Sequence, residues 1–253
     1  MAKMILVANW KNHPASLAEA KDVLKNYAKA KERFKKLAFF IAPPLPYLAE
    51  VSERAGGFSH LAVQDIALVP KGNYTGEVPL EILKSFGARL AILGHSERRA
   101  LGETSAQVSE KIRAALRAGI TPLVSVGEIE RDKDGEHFEI LRKEIKASLL
   151  GVSRQSAAKI VLAYEPVWVI GKSAKDALPP GDLAQSVIFI KKVLTDIYGR
   201  RVADKIPIIY GGSVESANAG ALAKETGVKG FLVGHASLKA KSMEEIAKSL
   251  TQK

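Results

Sequence analysis

Apolar residues recur along this chain in short runs: Ile5–Ala8, Leu37–Ala42, Leu61–Val63, Leu90–Leu93, Leu123–Val126, Ile160–Tyr164, Ile206–Tyr210 and Phe231–Val233. The runs are apolar throughout rather than alternating, which is the pattern of strands buried on both faces. Between them the spacing becomes helical. Leu183, Val187, Ile190, Leu194 and Ile197 form the clearest stripe, and Leu17/Ala20/Leu24/Tyr27, Val108/Ile112/Ala115, Phe138/Leu141/Ile145/Leu149 and Met243/Ile246/Leu250 form others. Strands that alternate with helices imply parallel pairing through right-handed crossovers. Eight such units within 253 residues predict an α/β protein with a single (β/α)8 barrel domain over residues 1–253. A doubly wound open sheet is the alternative, but it would use fewer strands or more chain. No composition shift or Gly/Ser linker breaks the alternation.

Barrels of this kind build their sites from the loops at the carboxyl ends of the strands, so the residues that follow each run are the candidates for chemistry. Strand one is followed by Asn9, Trp10 and Lys11, strand three by Gln64 and Asp65, and strand four by Gly94, His95, Ser96 and Glu97. Strand five leads to Gly127 and Glu128, strand six to Glu165 and Pro166, strand seven to Gly211, Gly212 and Ser213, and strand eight to Gly234 and His235. Lys11, His95 and Glu165 therefore reach one mouth. Together they suit proton transfer beside a carbonyl: Glu165 takes a carbon-bound proton, His95 donates to the oxygen on which charge develops, and Lys11 stabilises that oxyanion. Glycine turns after strands seven and eight let backbone N–H groups approach an anion, where barrels commonly bind phosphate. Singly, each residue is weak evidence, since a lone carboxylate before proline is more often a turn residue and a lone lysine a surface residue. The other histidines, His13, His60 and His137, show no metal-ligand spacing and read as structural or exposed.

The composition narrows this little further. A chain that is 47% hydrophobic can bury a large core, and with no cysteine it has no disulfide framework or thiolate site. The formal charge of +11 arises partly from Lys21, Lys25, Lys29, Lys31, Lys35 and Lys36, which lie among acidic residues and read as solvated helix faces. Aromatic and basic residues are not interleaved on one face, so no nucleic-acid partner is expected. No run approaches the roughly 18 apolar residues of a membrane span, and Ile5–Ala8 is too short for a secretory core. The expectation is a soluble, cytoplasmic protein without a membrane partner.

Five strand-end segments carry a family resemblance. Asn9-Trp10-Lys11, Leu93-Gly94-His95-Ser96-Glu97-Arg98-Arg99, Tyr164-Glu165-Pro166-Val167-Trp168-Val169-Ile170-Gly171, Tyr210-Gly211-Gly212-Ser213-Val214 and Leu232-Val233-Gly234-His235-Ala236-Ser237 closely resemble the signature segments of the triosephosphate isomerases, in order and in spacing. The resemblance implies interconversion of dihydroxyacetone phosphate and D-glyceraldehyde 3-phosphate through an enediol(ate), in glycolysis and gluconeogenesis, with no cofactor and no metal. By position it makes Glu165 the base, His95 the neutral electrophile, and Lys11 and Asn9 the contacts to substrate oxygens. Gly171, Ser213, Gly234 and His235 would supply backbone N–H groups to the phosphate, and Glu97 would pair with Lys11. Arg98 and Arg99 read as structural. Residues 166–174 resemble the family's lid, and Gly72–Glu77 resembles its dimer arm, with Thr75 reaching the partner's site in a homodimer.

The chain departs from the family pattern in three places. Lys172, Ser173 and Ala174 replace a Thr-Gly-Lys type hinge, His235 stands where a second glycine is usual, and Ser125 replaces a cysteine. Ser125 is expected to bear on packing rather than chemistry, since a buried hydroxyl needs a partner. Two other readings compete. A Schiff-base aldolase would place a lysine where Glu165 stands. A non-catalytic binding relative would have lost one of Lys11, His95 and Glu165, and all three are present.

Overall fold

The computed structural model describes residues 3–69, 72–132, 134–172 and 177–251. Eight parallel strands close into a barrel in chain order: β1 (Ile5–Asn9), β2 (Ala38–Ala42), β3 (His60–Val63), β4 (Ala88–Leu93), β5 (Thr121–Val126), β6 (Val161–Tyr164), β7 (Ile208–Tyr210) and β8 (Gly230–Val233). Around it lie α1 (Leu17–Lys29), α2 (Lys31–Phe34), α3 (Leu48–Ala55), α4 (Leu80–Ser85), α5 (Ser96–Ala100) and α6 (Ser105–Ala118). The ring is completed by α7 (Glu136–Ser148), α8 (Arg154–Ala157), α9 (Pro180–Tyr198), α10 (Arg200–Ala203), α11 (Ser216–Glu225) and α12 (Ala240–Thr251).

Every predicted apolar run holds a strand, and three strands begin later than their runs for one reason. The N–H groups of Leu37, Ile160 and Ile206 donate to Phe34, Ala157 and Ala203, closing the preceding helical turn instead of entering the sheet. These three side chains are nonetheless buried. The uniform apolarity of the strands follows from two hydrophobic layers. Val7, Ala62, Leu90, Ile92, Leu123, Ala163, Ile209 and Leu232 fill the barrel interior, while their neighbours Leu6, Ala8, Ala91, Leu93, Val124, Leu162 and Phe231 pack under the helices. Side chains alternate across a strand, so a barrel strand faces an apolar layer on either side.

The predicted helical stripes also face the core, with two exceptions: Leu17, at the start of α1, is 44% exposed, and Phe138 is half-buried against Phe189 of α9, whereas Ala20, Leu24 and Tyr27 are buried. The barrel closes where β1 meets β8, in the register Ile5↔Gly230 and Leu6↔Phe231. Gly230 has φ +147°, and a Cβ there would stand 1.7 Å from the Ile5 carbonyl oxygen, so only glycine permits this approach. Lys35 pairs with Glu32 at 2.7 Å on α2 and its flank, as the solvated-face reading implies. Further positive charge gathers at the amino ends of the strands, where Lys3, Lys36, Arg89, Lys159, Lys205 and Lys229 are exposed. That end lies opposite the mouth described next, so the charge that prepares the mouth for an anion is local. No helix among the described residues is long and apolar enough to cross a membrane.

Candidate active site

The carboxyl ends of the strands surround a cavity of about 720 Å³ lined by Asn9, Lys11, His95, Gly171, Ser213, Gly234 and His235, among others. The structure thus brings together every predicted substrate-binding residue and two of the three predicted catalytic ones. It also places His13, exposed in the loop after β1 as one of the two readings had it, on the cavity wall, a position not expected of it. His60 is half-buried beside Phe40 at the amino end of β3. His137 is buried and bonded to Asp132 at 2.9 Å, a structural contact. Among the described residues no three His, Asp or Glu side chains are grouped to hold a metal ion.

Lys11 lies in a turn that is held from two sides. Its N–H donates to Asn9 Oδ1 at 3.0 Å, and its carbonyl accepts from Gln64 Nε2 at 2.7 Å; the same Gln64 amide reaches the Ala42 carbonyl at 2.9 Å. These bonds hold Lys11 at φ +52°, a conformation uncommon outside glycine. The strain directs the side chain over Gly234, where a Cβ would stand 3.1 Å from Lys11 Cε. Lys11 Nζ meets Glu97 Oε1 at 2.6 Å. Glu97 is exposed, so this pair contributes little stability. Its effect is to aim the ammonium into the mouth.

His95 caps α5, and its Nδ1 accepts the Glu97 N–H at 3.2 Å. A ring nitrogen that accepts a bond carries no proton, so the neutral imidazole presents its N–H at Nε2. Nε2 faces Glu165 Oε2 at 3.6 Å.

Glu165 follows β6 with its N–H on the Val126 carbonyl at 2.8 Å, and only 1% of the residue is exposed. Its neighbours leave it little room. A Cβ on Gly127 would stand 1.9 Å from the Glu165 carbonyl oxygen, and one on Gly211 would stand 2.6 Å from its Cγ. The carboxylate stands on the wall of an adjoining cavity of about 330 Å³ rather than of the larger one. There its Oε1 accepts from Ser125 Oγ at 2.8 Å. The buried hydroxyl of Ser125 thus has the partner it was expected to need, and that partner is the candidate base. Oε2 has no hydrogen-bond partner among the described residues. Behind the pair, Arg99 bonds the Gly94 carbonyl at 2.8 Å and Ser148 Oγ at 3.0 Å, and its Nε lies 3.2 Å from Glu144. Burial pushes the Glu144 carboxyl up to about 7, with Arg99 pulling the other way.

The segment after Glu165 is anchored at both described ends. Glu128, fully buried, accepts from Tyr164 Oη at 2.9 Å and Trp168 Nε1 at 3.0 Å, while its carbonyl takes the Val167 N–H at 2.9 Å. At the far end Ser213 Oγ donates to the Lys172 carbonyl at 2.5 Å, and Gly171 has φ +77°. Ser173 and Ala174, two of the three altered hinge positions, lie outside the described residues. Sequence reasoning assigned no role to Glu128 or Gln64. Both follow strand ends, which was the available signal, but their partners lie 40 and 53 residues away. His235 opens a single helical turn and is exposed, with its imidazole free of the barrel core. Thr75 is exposed on the loop after β3, near exposed Tyr74.

An eight-stranded parallel barrel whose mouth gathers an ammonium, a donor imidazole and a buried carboxylate defines a barrel protein equipped for acid–base chemistry. The comparisons with known proteins take this further. The family model described as "Triosephosphate isomerase" matches residues 4–250. A relative of that name from Dehalococcoides mccartyi is 38% identical over 251 residues, covering 98% of this chain and 97% of its own. One from Fusobacterium nucleatum is 36% identical over 253 residues, with 98% and 99% covered. The chain belongs to the triosephosphate isomerase family.

Proposed function

We propose that this chain interconverts dihydroxyacetone phosphate and D-glyceraldehyde 3-phosphate, with Glu165, His95 and Lys11 as its catalytic residues. Glu165 removes a proton from the carbon beside the carbonyl, His95 donates its Nε2–H to the carbonyl oxygen, and Lys11 stabilises the charge that develops there. Glu165, now protonated, returns the proton to the neighbouring carbon, and one enediol(ate) thus serves both directions. The observation that carries the reading is the His95 tautomer: Nδ1 is occupied as an acceptor, so the donor points at Glu165 and the cavity. Asn9 contacts a substrate oxygen, and Gly171, Ser213, Gly234 and His235 offer backbone N–H groups to the phosphate. Residues 166–174 act as a lid that excludes water from the intermediate. The reading needs no cofactor. The protein works as one barrel domain in the cytoplasm, within glycolysis and gluconeogenesis.

A coupled assay that follows dihydroxyacetone phosphate formed from glyceraldehyde 3-phosphate tests the activity. Turnover is expected in metal-free buffer, and none with an unphosphorylated triose. An inactive, folded protein would end the reading.

The same reading makes the protein a homodimer through loop 72–77, Thr75 entering the partner's mouth near Asn9 and Lys11. The exposure of the whole loop, Tyr74 and Thr75 included, supports this, since it leaves the loop free to enter a partner. Sedimentation should give twice the chain mass, and Thr75→Arg should shift the protein to monomers with at least about tenfold lower turnover, a loss of more than about 1.4 kcal/mol of transition-state stabilisation. A wild-type monomer with full activity would overturn it.

A further inference from the structure

Glu165 holds its two carboxylate oxygens in unlike surroundings. Oε1 accepts from Ser125 Oγ at 2.8 Å, and Ser125, 1% exposed, has no other side-chain partner among the described residues. Oε2 is buried and unpartnered, 3.6 Å from His95 Nε2. A buried carboxylate oxygen left without a donor is costly, and a folded protein retains one where it serves a purpose. Ser125 is itself placed by the backbone. Its strand pairs Ser125 with Ala163 across β5 and β6, and Arg99 Nη2 reaches its carbonyl at 3.4 Å, so the hydroxyl projects toward Glu165 from a rigid element.

From this geometry we propose that Ser125 is a positioning residue for the reaction: its hydroxyl holds Oε1, keeps the carboxylate ionised and drawn back into the adjoining cavity while the mouth is empty, and leaves Oε2 as the oxygen that takes the proton. The inference rests on Glu165 being the base. A hydrogen bond to the charged form of a carboxylate favours that form. Other groups also face Glu165: His95 from the cap of α5, Glu128 beyond β5, and Glu144 of α7 with its Arg99 partner. All are unchanged by a substitution at 125, so a change in Glu165 titration reports on the hydroxyl.

The test is the carboxyl-carbon NMR titration of Glu165 in substrate-free protein labelled at glutamate Cδ, its signal identified by its absence in Glu165→Gln. Ser125→Ala should move the midpoint up by about one pH unit, the size expected for one hydrogen bond to a charged group. Ser125→Cys, nearly isosteric but a weak donor, should move it by less, and it carries the same test should the alanine protein not fold. Equal midpoints in the wild type and the folded variants would overturn the proposal, since a purely structural hydroxyl would alter thermal stability alone. Full turnover by Glu165→Gln would instead remove the reading of the base, so the two failures are distinguishable.

Discussion

Glu165→Gln is expected to lower kcat by about 10²–10⁴-fold while leaving the fold and thermal stability close to those of the wild type, because a positioned general base contributes on that scale. Gly127 confines the Glu165 main chain and Gly211 its Cγ, so the side chain enters the adjoining cavity from a fixed base. Glutamine preserves the volume and can still accept from Ser125 through its carbonyl oxygen. What it lacks is the basic oxygen, Oε2, that faces His95. Steady-state rates in both directions, with circular dichroism as the control for folding, check this. An equally active glutamine protein would sink the assignment of the base.

The second large effect is expected at Lys11. Lys11→Met keeps most of the stem that crosses Gly234 but removes the ammonium, and kcat/KM should fall by about 10²–10³-fold, the scale measured for one donor to a developing oxyanion. Glu97, its partner at 2.6 Å, is exposed and is left in water, so its release should not unfold the protein. The carboxylate has a further effect. With the cation gone, Glu97 still lies 3.6 Å from His95 Nδ1 and its negative charge is uncompensated, which opposes the approach of an anionic substrate. KM should therefore rise along with the fall in kcat. A change in KM alone would make Lys11 an anchor for the substrate with no part in the chemical step.

Ser125 shows how far the residue types reach and where they stop. A serine in an apolar strand is legible as a buried hydroxyl in need of a partner, but the choice of partner depends on β5 lying beside β6 in the register Ser125↔Ala163, which no local pattern states. Glu128 is the same case. Its place after β5 marks it as a residue of the mouth, yet its bonds to Tyr164 and Trp168 exist only because the two strand ends meet. His13 was read only as structural or exposed because it precedes a proline in a polar stretch with no period. It reaches the cavity wall from a turn after β1 in which its N–H bonds the Trp10 carbonyl at 3.1 Å. The late starts of β2, β6 and β7 were hidden too, since apolarity marks burial and not which N–H closes a turn.

By itself the sequence determined the eight strand-and-helix units, the barrel they form, and the strand-end positions of Lys11, His95 and Glu165, because burial on two faces and helical period are local and repeat along the chain. The tertiary structure alone decided how those groups stand toward one another: the donor nitrogen of His95, the ion pair of Lys11 with Glu97, and the withdrawal of Glu165 onto Ser125. The His95 nitrogen is set by a cap bond only two residues long, but its facing of Glu165, like the other two contacts, joins residues at least 40 positions apart. Hydrogen bonding is short-ranged and directional, so it is settled only when the closed barrel has brought those residues within reach.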